Sequence, residues 1–173
     1  MRHIILMLLT FLCSVNCFGQ ENKHYKTTID STLVRAFDFW VGDWEVSWIG
    51  SDSTRIIGSN TVAKILDGKV IQENFVDPSR NFKGTSISVF NPQTKQWHQA
   101  WADNNGGYYE FIGEVDGDDR IFKTEAKDKR GAIYRMIFTE IEKDSFIWKW
   151  QGIRSGWDKW KTVWEINYKR KKL

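Results

Sequence analysis

From Asp43 to Tyr168 the chain runs in short stretches that alternate apolar and polar residues, each closed by a turn signal. Alternation with a period of two sends successive side chains to opposite faces of a strand. Trp44, Val46 and Trp48 therefore share one face, and Asp43, Glu45 and Ser47 the other. Further strands are predicted over residues 62–66, 69–71, 85–90, 96–102, 108–115, 120–126, 132–141, 146–153 and 160–168. Between them lie Asp67-Gly68, Asn91-Pro92, Asn104-Asn105-Gly106-Gly107, Asp116-Gly117, Arg130-Gly131, Asp144-Ser145 and Ser155-Gly156. Connections this short force neighbouring strands to be antiparallel. The expected fold is all-β: a closed antiparallel up-and-down barrel of about ten strands, since closure removes exposed edges. A double sandwich would need longer crossing connections.

Upstream, Ser31 is placed to cap a short helix over residues 32–39, with Leu33, Val34, Ala36 and Phe37 facing one end of the barrel. Gly42 followed two residues later by Trp44 suits the closed end of such a barrel. The glycine lets the backbone bend and approach closely, and the indole plugs the base. Both faces of 132–141 are apolar, so that wall is expected to be covered outside by the N-terminal helix or by a second subunit in a homodimer.

Residues 1–19 have the layout of a secretory signal: Arg2 and His3, the apolar stretch Ile4 to Leu12, and Gly19 at the cleavage position. The stretch falls short of the ~20 residues of a transmembrane helix, and no transmembrane segment is expected. The organisation is then 1–19 signal, 20–30 polar lead-in and 31–173 a single barrel domain, secreted or periplasmic. A lipid on Cys13 or Cys17 is the less favoured alternative, because Leu12 and Asn16 precede them where a small residue is usual. Cleavage removes both cysteines, and with them any disulfide, thiolate nucleophile or sulfur ligand. The whole chain carries 25 basic and 22 acidic residues, a net charge of +3, and losing Arg2 leaves +2. That near-neutral balance gives no nucleic-acid footprint, and Lys169-Arg170-Lys171-Lys172 reads as a solvated tail.

Three groups of residues carry a resemblance: Phe37-Asp38-Phe39-Trp40-x-Gly42-x-Trp44, Leu66-Asp67-Gly68-x-Val70-Ile71-x-Glu73, and Trp97-x-Gln99-x-Trp101-x-Asp103. On these the chain resembles the calycin superfamily of lipocalins, fatty-acid-binding proteins and nitrobindin-like haem barrels. Within it, the chain is similar to a bacterial group of secreted lipocalin-like domains of unknown function. The resemblance spans nearly everything after residue 19. It implies a barrel and secretion, and no particular activity. It also implies a basic residue from the last strand lying across the first-strand tryptophan, here Lys169 or Arg170 over Trp44.

His98 is the one histidine on a predicted strand, and so the one candidate for haem. The nitrobindin-like ligand lies late in the chain, where no histidine occurs here, so haem is disfavoured and no cofactor is expected. Zinc lacks ligands, and Asp116-x-Asp118-Asp119 reads as a turn rather than a calcium loop. No nucleophile elbow, phosphate-cradling loop or dinucleotide fingerprint is present, so no catalytic residue is assigned. An inward carboxylate at Glu73, Asp103 or Glu110 would have its pKa raised by desolvation; an outward one would pair with Arg135, Lys123 or Lys149. The expected function is binding of a small apolar or amphipathic molecule, with Glu73, Trp97, Gln99, Trp101, Glu110, Arg135 and Trp148 as the contact set. Two alternatives stand beside it: a cofactor-free isomerase or hydrolase using a buried carboxylate, and a barrel filled by its own aromatics that acts as an interaction module.

Overall fold

The computed structural model describes residues 31–172. Ten strands follow one another: β1 (Gly42–Ile49), β2 (Arg55–Ile65), β3 (Val70–Asp77), β4 (Phe82–Asn91), β5 (Gln96–Asp103), β6 (Tyr108–Asp116), β7 (Asp119–Lys123), β8 (Ile133–Thr139), β9 (Ser145–Ile153) and β10 (Lys161–Arg170). Each pairs antiparallel with the next, and β1 pairs with β10 to close the barrel. The expected up-and-down barrel is the observed one. The hairpin at Asp67-Gly68 turns through four residues, because Ile65 pairs with Val70, and Leu66, Asp67 and Gly68 all take positive φ. Among the described residues no helix is long and apolar enough to cross a membrane. The proposed signal, the lead-in and both cysteines lie outside the described residues.

The helix expected over 32–39 is shorter. α1 (Ser31–Val34) ends early, and a 3₁₀ turn follows at Asp38–Trp40. Between them Ala36, Asp38, Trp40 and Val41 each donate to the carbonyl three residues back. This tighter winding turns Phe37 and Trp40 into the barrel, where they are 0% and 1% exposed. From Ser31 on, the segment therefore enters one end of the tube, the position expected for its apolar residues, and does not supply the outer cover of β8 that was one of two expected there. On that outer wall Ile137 pairs with the buried Ile121 of β7.

The base is a packed aromatic plug. Phe37 stacks on Phe122 with ring centroids 4.4 Å apart and meets Phe138 and Trp97 edge-on. Phe39 meets Phe138 and Phe146, and Trp44 meets Phe146 at 4.9 Å. The indole N–H of Trp44 donates to the Trp40 carbonyl at 2.8 Å. The cation lying over Trp44 is Arg170, 4.1 Å from the ring centroid. Its guanidinium also donates to the carbonyls of Val41 and Phe39, at 2.8 and 3.1 Å. Gly42 makes this possible: its φ is 146°, and a side chain there would run into the Arg170 guanidinium.

Candidate binding cavity in the open half of the lumen

The other half of the tube is not filled. Strand pairing lays Phe75, Trp101, Tyr109, Trp148, Trp150 and Trp164 around a cavity of about 210 Å³ at the end opposite the plug. Trp148 and Trp150 run nearly parallel along β9, and Trp164 of β10 meets Trp148 edge-on at 5.7 Å. Trp101 fits against β4 only because residue 84 is glycine; a Cβ there would lie within the indole ring. Its N–H donates to Asp103 at 3.1 Å. Burial pushes the Asp103 carboxyl up, but the backbone N–H of Gly107, the Trp101 indole and the Asn105 N–H together hold it below its ordinary value.

The inner limit of the cavity is polar. Glu73 on β3 lies opposite Ser86 on β4, whose hydroxyl donates to Oε2 at 2.7 Å. Asn60, on β2, donates through Nδ2 to Glu73 Oε1 at 2.7 Å and to the Tyr168 hydroxyl of β10 at 3.0 Å. Gln99, on β5, donates to Ser86 and Ser88 at 3.2 and 3.0 Å. One network thus crosses five strands. Burial pushes the Glu73 carboxyl up to about 7, against the Ser86 and Asn60 hydrogen bonds that pull it down. Burial, with the Glu73 carboxylate nearby, also raises Tyr168, which keeps its proton. Asn60 Oδ1 and Gln99 Oε1 are buried with no hydrogen-bond partner among the described residues. Such orphaned acceptors are uncommon, and neither residue borders the cavity itself.

Of the residues singled out from the sequence, Glu73, Trp101 and Trp148 line this cavity. Gln99 is buried two hydrogen bonds behind Glu73, through Ser86. Trp97 points inward but at the other end: it packs on Phe37 and donates to the Leu33 carbonyl at 2.8 Å. Glu110 and Arg135 are corrections, because alternation puts both on the outer wall. Glu110 is exposed and accepts from the Tyr108 hydroxyl. Arg135 donates to Gln151 at 2.7 Å and lies over Trp160. His98 also faces away from the lumen, paired with the exposed Val89. Among the described residues no group of three or more His, Cys, Asp or Glu is placed to hold a metal ion.

Asn60, Ser86 and Tyr168 were not anticipated. The direction of Tyr168 was legible from alternation, since it shares a face with Trp164 and Ile166, whereas Asn60 lies in the part of β2 that precedes the predicted strand. Their meeting at Glu73 depends on strand register across the barrel, which no local pattern encodes. Compared with models of known protein families and with curated proteins, the chain matches none.

Proposed function

We propose that this protein is a small-molecule-binding barrel that takes one compact, largely apolar ligand into the open half of its lumen. The observation that carries the reading is an aromatic-walled hollow ending on a buried carboxylate whose two oxygens each accept only one hydrogen bond. Concave, mostly apolar sites with a few convergent polar groups are the usual form of ligand pockets. Size narrows the class. A cavity of about 150 Å³ is enough for benzene, and sites for drug-sized ligands run from about 300 Å³ upward. At about 210 Å³ the hollow suits a single substituted ring rather than a long lipid. The signal-like residues 1–19 support export.

Intrinsic tryptophan fluorescence tests the proposal directly, because Trp101, Trp148, Trp150 and Trp164 all border the hollow. Titration with ring-sized compounds is expected to change the emission saturably. Trp101→Ala should weaken that binding by about tenfold, the equivalent of ~1.4 kcal/mol, while the barrel stays folded. Normal binding by the folded variant would remove this cavity from consideration.

A second reading is supported by the proton affinity of Glu73. A carboxyl poised at about 7 is well matched to general acid–base work at neutral pH. A cofactor-free isomerase or hydrolase would show a rate profile turning near that pH and lost in Glu73→Gln, whereas a carrier shows no turnover.

A further inference from the structure

We infer that the lumen ligand is a small organic cation, a protonated arylalkylamine, whose ammonium group meets Glu73 while its ring lies against Trp148 and Trp164. The inference rests on the binding reading above and names the chemistry of its ligand.

Hydrogen bonding makes the first argument. Both N–H groups of the Asn60 amide are used, on Glu73 and Tyr168, and both of Gln99, on Ser86 and Ser88. The Ser86 hydroxyl is used on Glu73. What is left over at the cavity is acceptor capacity: one further lone-pair site on each Glu73 oxygen. The Tyr168 hydroxyl is the one group bordering the cavity in this network with a proton still to offer. An ammonium brings three donors and no acceptor, which is what such a surface lacks. A ligand carboxylate would bring only acceptors, and a second negative charge beside Glu73.

The walls make the second. Indole faces attract cations through the ring quadrupole, most strongly where water is excluded. The rim already shows this: the Arg80 guanidinium sits 5.5 Å from the Trp164 ring centroid and 5.9 Å from that of Phe82. Charge makes the third. Glu73 and Asp103 line the hollow, and among the described residues no Lys, Arg or His does. Arg80, at the rim, is tied to Asp77 at 2.8 Å, so that pair is neutral. Around Glu73, Asn60 on β2, Ser86 on β4 and Gln99 on β5 are uncharged, and Tyr168 on β10 is the one other titratable group in the network. The buried carboxylate therefore has no cationic partner of its own, and an arriving ammonium supplies it.

Three probes of matched size test this by calorimetry on the wild-type protein at pH 5.5 and 8.5: 2-phenylethylammonium, neutral propylbenzene and 3-phenylpropionate. The ammonium is expected to bind at least tenfold tighter than propylbenzene at pH 8.5. Its affinity should fall by about tenfold per pH unit below about 7, as Glu73 takes up the proton the ammonium must displace. Propylbenzene should be insensitive to pH. In Glu73→Gln the preference for the ammonium should vanish while propylbenzene still binds; the wild-type pH dependence decides the matter if that variant does not fold. Equal or tighter binding of propylbenzene or phenylpropionate at pH 8.5 would overturn the cation assignment and leave the binding reading intact. Binding of none of the three would overturn both.

Discussion

The two ends of this barrel are built from the same residue types and finish differently. At the base, Phe37, Phe39 and Trp40 come in from the N-terminal segment, every ring meets another, and Arg170 seals the end. At the other end Trp101, Trp148, Trp150 and Trp164 line the wall, and no segment of the described chain fills the space between them. Tyr168 marks the boundary. Its ring stacks on Phe146 of the plug at 4.2 Å, and its hydroxyl joins the Glu73 network. An aromatic residue is thus a source of stability where the chain supplies its partner, and a surface for something else where it does not. The count of tryptophans does not distinguish the two cases; what packs against them does.

The sharpest way to break this comparison is to truncate one indole from each end. Trp44 is fully buried, and Trp44→Ala is expected to cost about 3–5 kcal/mol of stability by urea unfolding. Trp148 is half-buried beside a hollow that already exists, so Trp148→Ala should cost about 1–2 kcal/mol. Equal losses would mean that both ends are structural. The next largest effect belongs to the boundary. The Glu73 carboxyl is raised from 4.5 to about 7, so the unfolded chain releases this proton first. Stability therefore falls as pH rises from 4.5 to about 7 and is level above that. Glu73→Gln keeps the shape without the charge. It should be more stable than wild type by about 3 kcal/mol at pH 8 and by little at pH 4, with a flat profile between. A wild-type profile that rises across that interval would show that Glu73 is not held in a desolvated site. Third is the seal: Arg170→Lys keeps the charge but loses the paired donation to Val41 and Phe39, and is expected to cost about 1–2 kcal/mol.

How much of this was legible in the sequence follows the same division. Period-two alternation and short turns sufficed for the ten strands, and Gly42-x-Trp44 for the closed base, because both are local patterns. The basic residue over Trp44 was narrowed to Lys169 or Arg170. Register decides for Arg170, which pairs directly with Trp44 across β1 and β10. Of the expected contact set, Glu73, Trp101 and Trp148 line the hollow, whereas Glu110 and Arg135 lie on the outer wall. Both sit in strands with apolar residues on each face: Glu110 shares its face with Tyr108 and Ile112, opposite Tyr109 and Phe111, and Arg135 shares its face with Ile133 and Ile137, opposite Tyr134 and Met136. Where both faces are apolar, alternation no longer says which is inside. The Glu73 network joins residues as far apart as Asn60 and Tyr168, so only closure of the barrel brings it together.

The smallest expected effect on stability is also the most selective test of the hollow. Gly84 lies in β4 with its backbone outside the left-handed region, so alanine suits its conformation and reduces the entropy of the unfolded chain. The new methyl would meet the Trp101 ring. In a packed core such an insertion costs about 1–3 kcal/mol. Here the indole has open space beside it and can swing into the cavity, losing its bond to Asp103 as it goes. The two effects should nearly cancel, leaving Gly84→Ala within about 1 kcal/mol of wild type. Its effect on binding should be large, because the displaced ring occupies the volume a ligand needs: at least a tenfold loss of affinity for ring-sized compounds by fluorescence titration. A variant that loses several kcal/mol and still binds would place Trp101 in the structural half of the barrel with Trp44, and the line between the two ends would have to be redrawn through β5.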